Sequence, residues 1–254
     1  VIPNLAVADN LALWNRLESA KRRLIYDLLS HGLPIGPGRR MPGLRFRFLE
    51  DRRRNPDVVD EVVTTGHQAG VITLNVAEAD DVERTAAREQ MQERYRTLLG
   101  HFRHESGHYY LNELVADEAS RARWRALFGD ASVDYAGSLE SYYRKGAPDD
   151  WAGSFVSAYA TAHAHEDWAE TFAHYLHIRD TRETARAERV GIVEEHWLPG
   201  DDLPGWILEW MRLSITLNEL NRSLGMDDPY PFVMSAPVVK KLEFVHELVS
   251  RPGA

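Results

Sequence analysis

The 254-residue chain reads as an α+β protein, predominantly helical, with a small sheet confined to its first third. Three observations carry that reading. Alternating or β-branched apolar runs occur only between about residues 44 and 76, and apolar residues at helical spacing dominate elsewhere. A His-Glu-x-x-His pentapeptide, His104 to His108, lies inside one of the helical runs. With 44% hydrophobic and 27% charged residues the chain can bury a sizeable core. One domain over 1–254 is expected, in which an N-terminal helix and small sheet (1–90) lead into a mostly helical part (91–254) carrying the pentapeptide.

The elements follow in order. From Asn10 to Ser30, Leu13, Trp14, Leu17, Leu24, Ile25, Leu28 and Leu29 keep helical spacing, with Asp9 or Asn10 available as a cap. The Gly-Pro-rich stretch Gly32 to Gly43 ends that helix. Leu44 to Leu49 alternates Leu and Phe with Arg, the period of a half-buried strand, and Val62 to Thr65 offers a second strand. Gly70 to Val76 is the strongest strand, opened by glycine and rich in β-branched residues. It reads either as an exposed edge able to pair with an extended peptide or as an ordinary internal strand. Glu78 to Gln92 has the composition of a solvated linker or helix face.

Gln90 to Val115 is helical, with Leu98, Leu99, Phe102, Leu111 and Leu114 as core candidates; Gly100 and Gly107, seven apart, suggest a closely packed backbone on one side. Leu127 to Lys145 carries Phe128, Tyr135, Tyr142 and Tyr143, and its tyrosines read as core or surface. Pro148-Asp149-Asp150 signals the start of a helix to about Tyr159. Further helices are expected over Glu166 to Ile178, Pro204 to Leu224 and Ala236 to Val249, the last two separated by the turn-forming Gly225 to Pro231.

Composition excludes several functions. A net charge of −9 and a pI near 5.7 argue against nucleic acid as a partner, and the run Arg52-Arg53-Arg54 is diluted by Asp51, Asp57 and Asp60. No window approaches the ~18 apolar residues of a membrane span, and no signal-peptide pattern opens the chain, so no membrane partner and a cytoplasmic location are expected. There is no cysteine, so any metal must be held by histidine and carboxylate. Val1 in place of methionine suggests a piece of a longer chain. Oligomeric state leaves no signal in the sequence.

The pentapeptide specifies chemistry. Histidines four apart share a helix face, so His104 and His108 can reach one zinc ion while Glu105 sits beside its open position as general base. Catalytic zinc takes three protein ligands, so one more must come from elsewhere. Glu166, Glu170 and His174 fall at i, i+4 and i+8 on one later helical face, and any of them could complete the set; Trp168, Phe172 and Tyr175 point mostly elsewhere, toward a core. Tyr159, His163 and Tyr175 are candidates to stabilise the developing oxyanion, by their nearness to that helix.

The runs His101-Phe102-Arg103-His104-Glu105-Ser106-Gly107-His108-Tyr109-Tyr110 and Glu166-Asp167-Trp168-Ala169-Glu170-Thr171-Phe172-Ala173-His174-Tyr175-Leu176-His177 resemble a bacterial family described as "putative zinc-binding metallopeptidases". The likeness runs from the Ala20 to Leu24 region, through Gly70 to Asn75, to Tyr230-Pro231-Phe232-Val233. It implies a zincin-like core with a gluzincin-like site: one Zn2+ per chain on His104, His108 and, at the position that matches, Glu170. It further implies hydrolysis of a peptide or protein substrate with Glu105 as base. His174 then fits a role beside the ligands, hydrogen-bonding one of them. Members of the family typically carry a cysteine-rich zinc ribbon ahead of this region, which this sequence lacks. Two other functions compete with the peptidase: a zinc hydrolase of a non-peptide amide, and a metal-binding interaction module without turnover. The intact Glu105 speaks against the module, because pure binding needs no base.

Overall fold

The computed structural model describes residues 3–7, 9–38, 40–58, 62–90, 97–190 and 203–251. These fall into two compact units, 1–121 with 249–254, and 122–248. Among the described residues no helix is long and apolar enough to cross a membrane.

The first unit opens with α1 (Asn10–Ser30), whose Leu13, Leu17, Leu24 and Leu28 form the buried stripe that the spacing predicts. The expected cap is absent. Asp9 makes no side-chain cap bond, and Asn10 is spent on the core, its Nδ2 donating to Glu50 Oε1 (2.8 Å) and to the Asn4 carbonyl (3.0 Å).

The sheet contains β1 (Arg45–Leu49), β2 (Gly66–Gln68) and β3 (Val71–Asn75) in the order β1-β3-β2, with β1 parallel and β2 antiparallel to β3. Alternation in β1 turns Phe48 into the core and leaves Arg45 exposed. β3 is the central strand, so the edge reading of Gly70 to Val76 is overturned: both of its sides are already paired. Nor do Val62 to Thr65 form a strand. There the backbone is claimed by side chains: Val63 N–H donates to Asp51 Oδ2 (3.0 Å), the Val63 carbonyl accepts from Asn75 Nδ2 (3.1 Å), and Thr65 Oγ1 accepts from Asn75 N–H (3.3 Å). β2 begins just beyond and turns into β3 through Ala69 (φ 47) and Gly70 (φ 81). Positive φ at both turn residues is what a two-residue type I′ hairpin requires. A Cβ on Gly70 would also stand 2.7 Å from the Gly43 carbonyl oxygen, so only glycine fits.

Asp51 knots this region together. It is fully buried and accepts from Arg53 Nη2 (2.6 Å) and Asn75 Nδ2 (2.7 Å) as well as Val63. Burial pushes its carboxyl up, but the Arg53 guanidinium, the Val63 N–H and the Asn75 amide outweigh burial and hold it at about 2. A carboxyl depressed on folding stabilises fully above its ordinary value and loses that contribution as pH falls through the folded one. Stability of the first unit is therefore expected to drop between about pH 4 and pH 2. Urea unfolding at pH 5, 3 and 2 checks this, and Asp51→Asn should flatten the fall.

A single 3-10 turn (Val76–Ala79) and α2 (Asp81–Gln90) follow, where the composition suggested a linker or helix face; residues 91 and 92 of that stretch, and 91–96 of the next, lie outside the described residues. α3 (Leu98–Leu114) carries the pentapeptide and is capped by Thr97 Oγ1, which accepts from Gly100 N–H (3.0 Å). Phe102 and Leu114 are buried as expected, whereas Leu98, Leu99 and Leu111 are only half-buried. The Phe102 ring packs on Phe46 (5.9 Å) and Phe48 (6.0 Å), fixing α3 to the sheet.

α4 (Glu118–Phe128) spans the division between the units. In the second unit, α5 (Tyr135–Lys145) buries none of its residues. The helix expected from Pro148 to Tyr159 is not there; two single 3-10 turns, Trp151–Gly153 and Tyr159–Thr161, stand in its place. Gly153-Ser154 weakens a helix, and side chains capture the backbone: Lys241 Nζ, from far along the chain, donates to the Ser154 carbonyl (2.9 Å), and locally Ala160 N–H donates to Ser157 Oγ (3.1 Å).

α6 (Ala164–Ala187) extends past both ends of the expected Glu166 to Ile178. Trp168, Phe172 and Tyr175 are buried, as predicted. α7 (Leu203–Ser223) and α8 (Ala236–Val249) match their expected spans. Glu209 of α7 accepts from Arg182 (2.5 Å) and Arg186 (2.9 Å) of α6. Lys241 of α8 donates to Asp167 Oδ2 (2.6 Å), a buried pair. Burial pushes the Asp167 carboxyl up to about 7 against the pull of Lys241.

Candidate metal centre

On α3 the two histidines meet as the sequence predicts: His104 Nε2 and His108 Nε2 stand 3.2 Å apart, their rings nearly perpendicular. Two imidazole nitrogens bound to one tetrahedral zinc at about 2.0–2.1 Å would be separated by roughly 3.4 Å. The pair therefore fits the ion. His104 and Glu105 are buried and His108 is half-buried. α3 is held in place beside them, because Arg103 Nη2 donates to Asp27 Oδ2 of α1 (2.7 Å), both groups buried, and Tyr110 Oη donates to the Pro34 carbonyl (2.8 Å). One turn before the pair, His101 Nδ1 lies 3.3 Å from Glu78 Oε2.

The other expected ligands lie on α6. Glu166, Glu170 and His174 share one face at successive turns, as the spacing requires. Each has a defined partner. Tyr135 Oη donates to Glu166 Oε1 (2.7 Å), Ser157 Oγ donates to Glu170 Oε2 (2.6 Å), and His174 Nδ1 is 2.7 Å from Tyr230 Oη. Ser157 Oγ already accepts from Ala160 N–H, so its one proton is directed at Glu170. A hydroxyl bonded to one carboxylate oxygen is the support that ligating carboxylates ordinarily have.

Among the oxyanion candidates, two are occupied by structural bonds. Tyr175 Oη is 3.0 Å from His246 Nδ1 and accepts from Arg179 Nη1 (3.1 Å), in a fully buried position. His163 caps α6, its Nδ1 accepting from His165 N–H (3.1 Å), while Nε2 is 3.3 Å from the Val133 carbonyl. Tyr159 packs against Tyr142 (5.5 Å), and burial followed by the charge of Glu166 pushes its phenol far up. Sequence reasoning missed Tyr135 and Ser157 as partners of the carboxylates. It also missed His67, on β2, whose ring lies edge-on to Tyr109. No periodicity marks any of the three.

The chain belongs to the family described as "Putative zinc-binding metallo-peptidase", whose model matches residues 10–248. An uncharacterized protein of Mycobacterium bovis, and uncharacterized proteins of two strains of Mycobacterium tuberculosis, are each 49% identical to it over 246 residues, covering 94% of this chain and 70% of their own length. No solved structure matches.

Proposed function

We propose that the protein is a zinc-dependent metallopeptidase acting on a peptide or protein substrate. The observation that supports this best is the convergence of His104 and His108, with Nε2 atoms 3.2 Å apart and Glu105 between them on the same helix. Zinc bound there would lower the pKa of a coordinated water from 15.7 toward ~7 and polarise a carbonyl. Glu105 takes the proton of the attacking water on a carboxylate oxygen and delivers it to the leaving nitrogen. His104 and His108 would hold the ion through Nε2. A carboxylate of the Glu166–Glu170 face completes the set, Glu170 being the position the family resemblance matches, with Ser157 orienting it.

The test combines metal analysis with digestion of a peptide library. About one zinc per chain is expected, with cleavage lost on chelation and restored by zinc. Glu170→Ala is expected to weaken zinc retention far more than Glu166→Ala, measured by competition with a chromogenic chelator. The reverse order would give the third position to Glu166. Cleavage of small amides without cleavage of any peptide would reject the peptidase, and a full complement of zinc with no turnover on either would leave an interaction module.

A further inference from the structure

Helix α7 turns a row of large apolar side chains to solvent. Its inner side is held by the fold: Ile207, Trp210 and Leu213 are buried, and Glu209 accepts from Arg182 and Arg186 of α6. Further along, Asn218 Nδ2 donates to the Tyr230 carbonyl (3.0 Å) and its Oδ1 accepts from Tyr230 N–H (3.1 Å). These ties fix the rotation of the helix about its own axis. On the outer side Leu208, Met211, Ile215 and Leu220 are left 59%, 44%, 62% and 54% exposed. Single exposed apolar residues need no explanation, but four within three and a half turns of one rigid helix present an association surface.

The outer side is also complementary to itself. Leu208, Arg212, Ile215 and Glu219 follow one another at the four-three-four spacing of a seam between two packed helices, and Arg212 and Glu219 are both exposed. A two-fold axis passing midway between residues 215 and 216 turns the helix end for end and brings residue 212 level with residue 219 of a second copy. Arg212 then meets Glu219 of that copy, and symmetry makes the contact twice. Ile215 meets its own counterpart across the axis. Charge selects this register. With the axis one turn earlier, between residues 211 and 212, Leu208 would meet Ile215 but the two Arg212 guanidiniums would face each other. The neighbouring cation Arg222 is neutralised within the chain by Asp228, which accepts from its Nε and Nη2 at 2.7 Å each.

We propose that α7 is a homodimer interface: its outer face packs antiparallel against the same face of a second copy, with reciprocal Arg212–Glu219 pairs across the two-fold axis. This stands independently of the peptidase reading. One helix face is a small contact beside those of stable complexes, so the dimer is weak and depends on concentration.

In sedimentation equilibrium the weight-average mass should rise with concentration from 29.0 kDa toward twice that value. Arg212→Glu and Glu219→Arg each place two like-charged pairs in the contact, and each is expected to raise Kd by about 10-fold or more. An equal mixture of the two variants sets opposite charges against each other at both positions, so mixing should return the dimer to near wild-type strength. A fault in the fold of either variant would not be repaired by mixing. The chain has no cysteine, which allows a second measure. Under mild oxidation Ile215→Cys should give a disulfide-linked dimer, because the two copies of residue 215 meet at the axis. Leu208→Cys should not, since its copies lie about 22 Å apart along the helices at ~1.5 Å rise per residue, beyond the ~7 Å between Cα atoms that a disulfide spans. A monomer at every concentration would leave this face to some other occupant and overturns the proposal. So do charge variants that lose the dimer and fail to regain it on mixing, and cross-linking through residue 208 in place of 215.

Discussion

Glu105→Gln is expected to keep its zinc and lose peptide cleavage by at least about 10²–10⁴-fold, the range a positioned general base contributes. The substitution replaces one carboxylate oxygen by an amide nitrogen at constant shape, so the helix and the His104–His108 pair have no reason to move. Glu105 is buried on α3, flanked by residues fixed to the sheet and to α1. An amide cannot take a proton from water at neutral pH, and the loss should therefore appear in kcat with KM little changed. Zinc content by plasma emission and initial rates on a defined peptide decide the matter. Full cleavage by the variant would reject Glu105 as the base, and loss of zinc would show it to be needed for binding the metal.

Sequence made legible what depends on regular spacing. The stripes of α1, α7 and α8 give their limits almost to the residue, and two histidines at i and i+4 are bound to meet on any helix. What escaped depends on distant groups. β2 has the sequence Gly-His-Gln, with no apolar alternation, and exists because the Ala69-Gly70 turn folds it onto β3. The segment after Pro148 has a sound helix start but surrenders the Ser154 carbonyl to Lys241, 87 residues on. Tyr135 finds Glu166 across 31 residues, and Ser157 finds Glu170 across 13, pairings that no local pattern encodes. The three-part face of α6 was visible, while the hydroxyls that orient its carboxylates were not.

The buried pair Arg103–Asp27 should carry the largest stability effect in the first unit. Arg103 immediately precedes the proposed zinc ligand His104, and its guanidinium and the Asp27 carboxylate are almost fully removed from water at 2.7 Å. Asp27 also holds Arg23 at 3.3 Å, so its removal takes a carboxylate from one buried guanidinium and one exposed one. Breaking such a pair from one side costs about 3–5 kcal/mol, because the remaining charge stays desolvated, and that is a large part of the ~5–15 kcal/mol that holds a typical domain folded. Asp27→Ala is accordingly expected to lower the urea midpoint sharply and to loosen zinc with it, since α3 loses its tie to α1. Arg103→Met alone should cost less than Asp27→Ala, because Asp27 keeps the Arg23 guanidinium. Combining Asp27→Leu with Arg103→Met removes both charges at similar volume, and the double variant should recover most of the stability lost by Asp27→Ala. If the double variant is no more stable than Asp27→Ala, the loss comes from packing and not from a stranded charge. If it regains stability and still binds zinc weakly, the ion pair sets the position of the histidines as well as the strength of the fold.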